Sequence, residues 1–200
     1  MRTKNAIYNI LATWLGQFLL IFVTLLSRRI FLQNLGTDYL GVDGLFANIL
    51  SFLSMAELGI GSAITYSLYK PLALNDIEGM KSLMKVYKIS YFVIGVLIFA
   101  AGMILIPFLP YIVSNSNGLD NIGLIYFLFL INTSVSYFFS YKSALIIADQ
   151  KKYIFNINHY IWKIVLCIVQ IIAIVKSQNY FAYLILQVTG TVLENCTIAW

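Results

Sequence analysis

Glu57 and Glu194 lie at depth within apolar stretches of the 200-residue chain, Arg28 and Lys163 lie nearer the ends of two others, and the single histidine, His159, stands one helical turn from Lys163. A charge at membrane depth costs several kcal/mol unless it faces a bundle interior, a watery cavity or an opposite charge. Such residues are therefore candidates for holding an ion, a proton or an anionic head group. Glu57 is the clearest case, because the stretch 40–69 around it, roughly thirty residues, is long enough to cross a bilayer. Two readings fit it: a carboxylate lining a polar interior, or a hydrogen-bonded acid that only joins helices.

Neighbouring polar residues give these charges faces. At about 100° per residue, a helix over 42–68 gathers Asp43, Ser51, Ser54, Gly61, Ser62 and Thr65 in an arc of about 140° beginning at Glu57. The first apolar stretch aligns Asn5, Asn9, Thr13, Gly16, Gln17, Thr24 and Ser27, with Arg28 at the margin. Arg28 either extends its guanidinium toward an anion or carboxylate inside the bundle or, like Arg29, anchors the outer end of the helix. The fourth gathers Tyr126, Asn132, Thr133, Ser136, Tyr137, Ser140 and Ser143, a set suited equally to sugars and to helix-to-helix hydrogen bonding. The fifth aligns Asn156, His159, Lys163, Cys167 and Gln170; Lys163 either lines a cavity or snorkels to the cytoplasmic edge, and His159 reads as a structural residue. The sixth collects Tyr183, Gln187, Gly190, Thr191, Glu194 and Asn195.

The elements that must carry these faces are transmembrane helices. The chain is 60% hydrophobic and 10% charged, outside soluble globular composition, with a mean hydropathy of +0.85. Apolar windows mark six spans: 6–32, 42–68, 88–112, 122–147, 154–175 and 181–200. The first resembles a signal peptide in its basic start, but its apolar run is too long and Ser27-Arg28-Arg29 is no cleavage site, so it reads as a retained span. With the N-terminus inside, the cytoplasmic side holds Arg2, Lys4, Lys70, Lys81, Lys85, Lys88, Lys142, Lys151 and Lys152, against Arg28, Arg29 and Lys176 outside. The uncharged character of most of the outer turn at 114–121 agrees. The formal net charge of +5 is thus an orientation signal and not one for nucleic acid. Pro71 is expected to end the second span, leaving 70–88 as a surface helix whose Lys81, Lys85 and Lys88 line one face. The third span, nearly all apolar and bearing Pro107 and Pro110, reads as peripheral and kinked. Cys167 and Cys196 read as small buried hydrophobes, and two glycosylation sequons at membrane depth are discounted. The last span stops at Trp200 without a polar flank, as a fragment or half of a larger protein would.

Three stretches carry a resemblance: Leu35 to Phe46 (LGTDYLGVDGLF), Glu57 to Ala63 (ELGIGSA) and Tyr69 to Ala73 (YKPLA), with Ala148-Asp149-Gln150-Lys151 in agreement. They resemble the N-terminal part of the lipid-linked oligosaccharide flippases, the polysaccharide-transporter branch of the multidrug/oligosaccharidyl-lipid/polysaccharide exporter superfamily. The resemblance implies an all-α integral membrane protein in which residues 1–200 form the N-terminal six-helix lobe of a two-lobe exporter. It implies export of undecaprenyl-diphosphate-linked repeat units for capsule, exopolysaccharide or O-antigen assembly across the bacterial cytoplasmic membrane. It implies no cofactor beyond a coupling proton or sodium ion. The partners implied are membrane lipids, the lipid-linked substrate and other polysaccharide-assembly proteins, without nucleic acid.

The family's span-one arginine falls on Arg28 and its span-two acid on Glu57. The substrate-cavity candidates are Arg28, Glu57, Lys163, Asn9, Gln17, Ser54, Asn132, Ser136 and Glu194. A cation-coupled multidrug exporter of the same superfamily and a truncated, inactive product are the alternatives. A glycosyltransferase or polymerase fits less well, because the loops are short and carry no acid/base pair or nucleotide motif.

Overall fold

The computed structural model describes residues 2–57, 59–113 and 121–198, the side chains of 2–6 and Ala56 excepted. The turn expected at 114–121 falls mostly outside the described residues, as do the side chains of Arg2, Lys4 and Asn5. The elements are α1 (Arg2–Leu35), α2 (Thr37–Ser54), α3 (Ile60–Leu74), α4 (Ile77–Leu105), α5 (Leu109–Ile112), α6 (Ile122–Ala148), α7 (Lys152–Ser177) and α8 (Tyr180–Ile198), with short 3-10 turns at Met55–Glu57 and Ile106–Phe108. No strand occurs among the described residues.

Five segments are long and apolar enough to cross a membrane: Ile7–Leu35, Ile77–Ile112, Ile122–Ala148, Lys152–Ser177 and Tyr180–Ile198. They fit a multi-pass membrane protein. Their exteriors agree, since large apolar side chains such as Trp14 (76% exposed) and Phe18 (74%) cover the outer face of α1. Water would disfavour such a surface, whereas hydrocarbon does not.

The expected continuous helix over 42–68 is divided. After Ser54 the chain tightens into the 3-10 turn Met55–Glu57, and Gly59, at φ 90°, precedes the separate helix α3. That left-handed conformation is readily open only to glycine, so Gly59 is the local cause of the break. A single helical projection from Asp43 to Thr65 therefore does not hold, and Glu57 sits at the discontinuity.

Two further expectations change. Pro71 lies inside α3, three residues before its last residue, where its ring removes only the bond to the Ser67 carbonyl. The helix stops instead at left-handed Asn75, and the Asp76 N–H donates to the Pro71 carbonyl at 2.9 Å. Asp76 then caps α4, its carboxylate accepting from the Gly79 N–H at 2.9 Å. The lysines Lys81, Lys85 and Lys88 thus ride exposed on the first turns of a long helix and not on a separate surface helix.

Nor is the third span peripheral. α4 packs on α3 and α6 and buries Tyr87, Tyr91, Ile94, Gly95, Ile98 and Gly102. The kink expected from Pro107 and Pro110 is present as the 3-10 turn and the short α5.

α1 packs on α7, while α8 packs on both α6 and α7. One end of the bundle is filled by an aromatic-rich core of Phe31, Phe46, Tyr126, Phe129, Tyr180 and their aliphatic neighbours. Toward the other end, where α6 turns into α7, the helix faces are polar and leave space between them.

Candidate functional site: two polar cavities sharing a wall of serines

The hydroxyl stripe of α6 organises the site. Ser136, Ser140 and Ser143 each donate to a carbonyl three or four residues back, at 2.6 to 2.7 Å. Their protons are spent on the helix, so these side chains offer lone pairs outward. A surface of that kind accepts hydrogen bonds from sugar hydroxyls or from a cation's water shell.

On one side of this stripe lies a cavity of about 380 Å³ walled by α6, α7, α8 and the end of α2. It is within the size range of small-molecule pockets, roughly 300–1,000 Å³. Ser54, Asn132, Ser136, Lys163 and Glu194 all line it, so five of the nine candidates share one space. Asn132 Oδ1 is buried and has no partner among the described residues. His159 completes the wall, its Nδ1 2.6 Å from Glu194 Oε1. The helix hairpin α7–α8 sets that pair. Gln178 adopts a left-handed conformation, Asn179 Oδ1 accepts from the Phe181 and Ala182 N–H groups at 2.8 and 3.3 Å, and α8 returns antiparallel along α7. Asn158, Trp162 and Thr197 knit the hairpin beside the pair: Asn158 Nδ2 donates to the Glu194 carbonyl, Trp162 Nε1 to Thr197 Oγ1 and Thr197 Oγ1 to Asn158 Oδ1.

On the other side of Ser140 and Ser143 is a second cavity, about 540 Å³, which contains Glu57, Gly61, Thr65 and Tyr69. Glu57 Oε1 accepts a hydrogen bond from the Tyr91 hydroxyl. Tyr87 packs edge-on to Tyr91 at 4.6 Å, and Tyr137 stands near both Ser54 and Glu57. A side chain at position 61 would press on the Tyr91 and Tyr87 hydroxyls, at 2.7 and 3.3 Å from its Cβ, which is a packing reason for glycine there. The partner of Glu57 is thus a tyrosine, and not Arg28 or Lys163.

Arg28 stands apart, toward the aromatic end. It lines a small cavity of about 130 Å³ with Ser27, Asp43, Cys167, Gln170 and Tyr183. Asp43 lines the same cavity and accepts from the Tyr180 hydroxyl at 3.3 Å.

Asn9 and Gln17 lie on the α1–α7 seam. Asn9 Oδ1 accepts from the Tyr153 N–H at 2.6 Å, and its amide donates to the Gln150 carbonyl at 3.1 Å, so it clasps the start of α7. Gln17 accepts from the Tyr160 hydroxyl at 3.3 Å, and Asn156 donates to Thr13 Oγ1 at 2.7 Å. Gly16 gives the Tyr160 ring room to cross α1.

The chain matches no known protein-family model, no characterised protein and no solved structure. The site must therefore be read from its own chemistry. Among the described residues no cluster of His, Cys, Asp and Glu gathers to hold a metal ion. The arrangement combines hydroxyl and amide groups with one ammonium, one carboxylate–imidazole pair and a separate carboxylate at a helix break, in open cavities between helices with apolar outer faces. It can bind a polar, charged group within a membrane.

Sequence reasoning missed two pairings, His159 with Glu194 and Tyr91 with Glu57, and the placing of Asp43 and Arg28 in one small cavity. The first had a signal, because a tight turn at Gln178–Asn179 brings residues of α7 and α8 to similar depth. The other two are no more distant in sequence, but Glu57 lies at a helix break and Arg28 and Asp43 lie on different helices, so projection of a single helix does not bring either set together.

Proposed function

We propose that this chain is a six-span lobe of an exporter that moves undecaprenyl-diphosphate-linked oligosaccharide repeat units across the bacterial cytoplasmic membrane for capsule, exopolysaccharide or O-antigen assembly. One observation carries the reading: a cavity of about 380 Å³ lined by Ser54, Asn132, Ser136, Lys163 and Glu194, inside a bundle whose outer surface is apolar. Hydroxyls and amides suit sugars, an ammonium suits a phosphate, and the apolar exterior suits a prenyl tail that stays in the bilayer. The resemblance at residues 35–46, 57–63 and 69–73 points the same way.

The divided segment α2–α3, second in chain order, completes the six spans. Discontinuous helices at membrane depth are a recurring transporter device, because their broken ends expose backbone groups to a substrate or coupling ion. Glu57 at that break is the candidate carboxylate for a coupling proton or sodium ion. The cavity lies toward the end that carries Lys142, Lys151 and Lys152, which the basic-residue asymmetry assigns to the cytoplasm. A repeat unit made in the cytoplasm would load there. Arg28, in the small cavity with Asp43, belongs to the opposite end and acts after loading, when two such lobes rock to face outward. No bond is made or broken, so the activity is transport.

A cation-coupled drug exporter is the rival reading, and Lys163 in the cavity wall opposes it by repelling cations. The test is complementation. The wild-type gene, expressed in a flippase-deleted cell, is expected to restore polysaccharide. Glu57→Gln and Arg28→Ala, present at matched membrane levels, are each expected to reduce it at least about tenfold, the effect of losing one charge interaction of roughly 1.4 kcal/mol. Full restoration by both variants, or drug resistance without polysaccharide, would sink the proposal.

A further inference from the structure

We infer that His159 and Glu194 form a proton-binding pair linked to the head-group site, so that protonation of the pair raises the cavity's affinity for an anion; this deepens the transport reading and rests on it. The pair is built into the fold. His159 Nδ1 is 2.6 Å from Glu194 Oε1, and the carboxylate side chain is the more sheltered of the two, 14% exposed against 34%. Phe155 stacks on the imidazole at 6.2 Å and 5°, and Tyr160 meets it edge-on at 5.6 Å, fixing the ring where it faces the carboxylate.

The surrounding charges determine what a proton does there. Lys163 on α7 and Glu194 on α8 line the same cavity as His159, Tyr137 is the titratable group that α6 adds, and α2 contributes the neutral Ser54. On the α1 side, the uncharged Asn9, Thr13 and Gln17 make hydrogen bonds to α7, and the titratable Tyr8 packs on Tyr153 at 5.9 Å. With a neutral imidazole, Lys163 and Glu194 cancel. With a protonated imidazole the cavity carries one net positive charge. A diphosphate is disfavoured by the nearby carboxylate in the first state and attracted in the second. By reciprocity, a bound diphosphate must then draw a proton onto the pair by the same factor, roughly 5- to 150-fold for coupled sites. The single ammonium of Lys163 is not enough alone, because Glu194 shares its space. The histidine thus supplies the charge that makes an otherwise balanced cavity selective for anions.

The chain contains one histidine, so an isotope-labelled imidazole gives one resonance that reports its own protonation. The full protein in lipid nanodiscs would be titrated with undecaprenyl diphosphate, with undecaprenol as the uncharged control. The protonated fraction of the imidazole is expected to rise with the diphosphate and not with undecaprenol. Affinity for the diphosphate is expected to increase at least fivefold from about pH 8 to about pH 6. His159→Asn retains only the ligand's own titration and loses the increase. Lys163→Gln weakens binding at every pH and keeps the increase, which separates the proton site from the ammonium. Glu194→Gln lowers the protonated fraction in the free protein. If wild type binds undecaprenyl diphosphate with the same pH response as His159→Asn, and the imidazole signal does not move, the linkage is overturned while the transport reading stands. If undecaprenyl diphosphate does not bind at either pH, both are overturned.

Discussion

Lys163→Glu is expected to abolish polysaccharide export, a loss of at least about a hundredfold, while Lys163→Arg retains most of it. The ammonium is half-buried in the wall of the larger of the two spaces that Lys163 and Arg28 line, beside Glu194 and one helical turn from His159. Reversal leaves two carboxylates facing one imidazole, and an anionic head group then meets like charge, an arrangement that costs several kcal/mol where water is scarce. About 1.4 kcal/mol is a factor of ten, so two such factors are a modest estimate. Arginine keeps the charge but changes its shape, which suits a phosphate at least as well. Cell-surface polysaccharide measured at equal membrane abundance checks both variants. Normal export by Lys163→Glu would remove the ammonium from the substrate path.

Gly59→Val should have the largest structural effect of any single change near Glu57. At φ 90° a β-branched side chain is strained, by about 2 kcal/mol. The chain can relieve that strain by losing stability or by straightening α2 into α3, and either outcome moves Glu57 away from Tyr91. Thermal unfolding in detergent is expected to shift down by several degrees, and export to fall at least about tenfold. Asparagine tolerates left-handed backbone better than valine, so Gly59→Asn is expected to lie between wild type and Gly59→Val in both assays. Export at the wild-type level from a destabilised Gly59→Val protein would mean that the broken helix has no part in transport.

The helical architecture was legible because its signal is spread over many residues: long apolar windows, few charges, and basic residues confined to short segments. The positions of breaks were less so. Pro71 looked like a stop but was absorbed near the end of α3, whereas Gly59, one small residue among several in Gly59-Ile60-Gly61, interrupts the span. Helical projection placed Ser136, Ser140 and Ser143 on one face of α6, and that face does line both cavities. On α1 the same kind of stripe became the seam to α7, since Asn9, Thr13 and Gln17 are consumed by hydrogen bonds to that helix. A polar stripe alone does not reveal whether it faces a neighbour or a space; that depends on which helix packs across it. The charged pairings show the same limit. Arg28 and Glu57 share a polar pattern in sequence, yet Arg28 stands with Asp43 toward one end and Glu57 with Tyr91 across the serine wall from the main cavity.

The central claim is that the cavity between α6, α7 and α8 holds the hydrophilic head group of a lipid-linked sugar. The most direct measurement is site-specific photo-crosslinking in living cells with a photoreactive amino acid at Ser136, on the cavity wall, or at Ile161, 56% exposed on the apolar face of α7. The expected result is a saccharide adduct at Ser136 and none at Ile161. Saccharide captured at Ile161 as strongly as at Ser136, or at Ile161 alone, would contradict it.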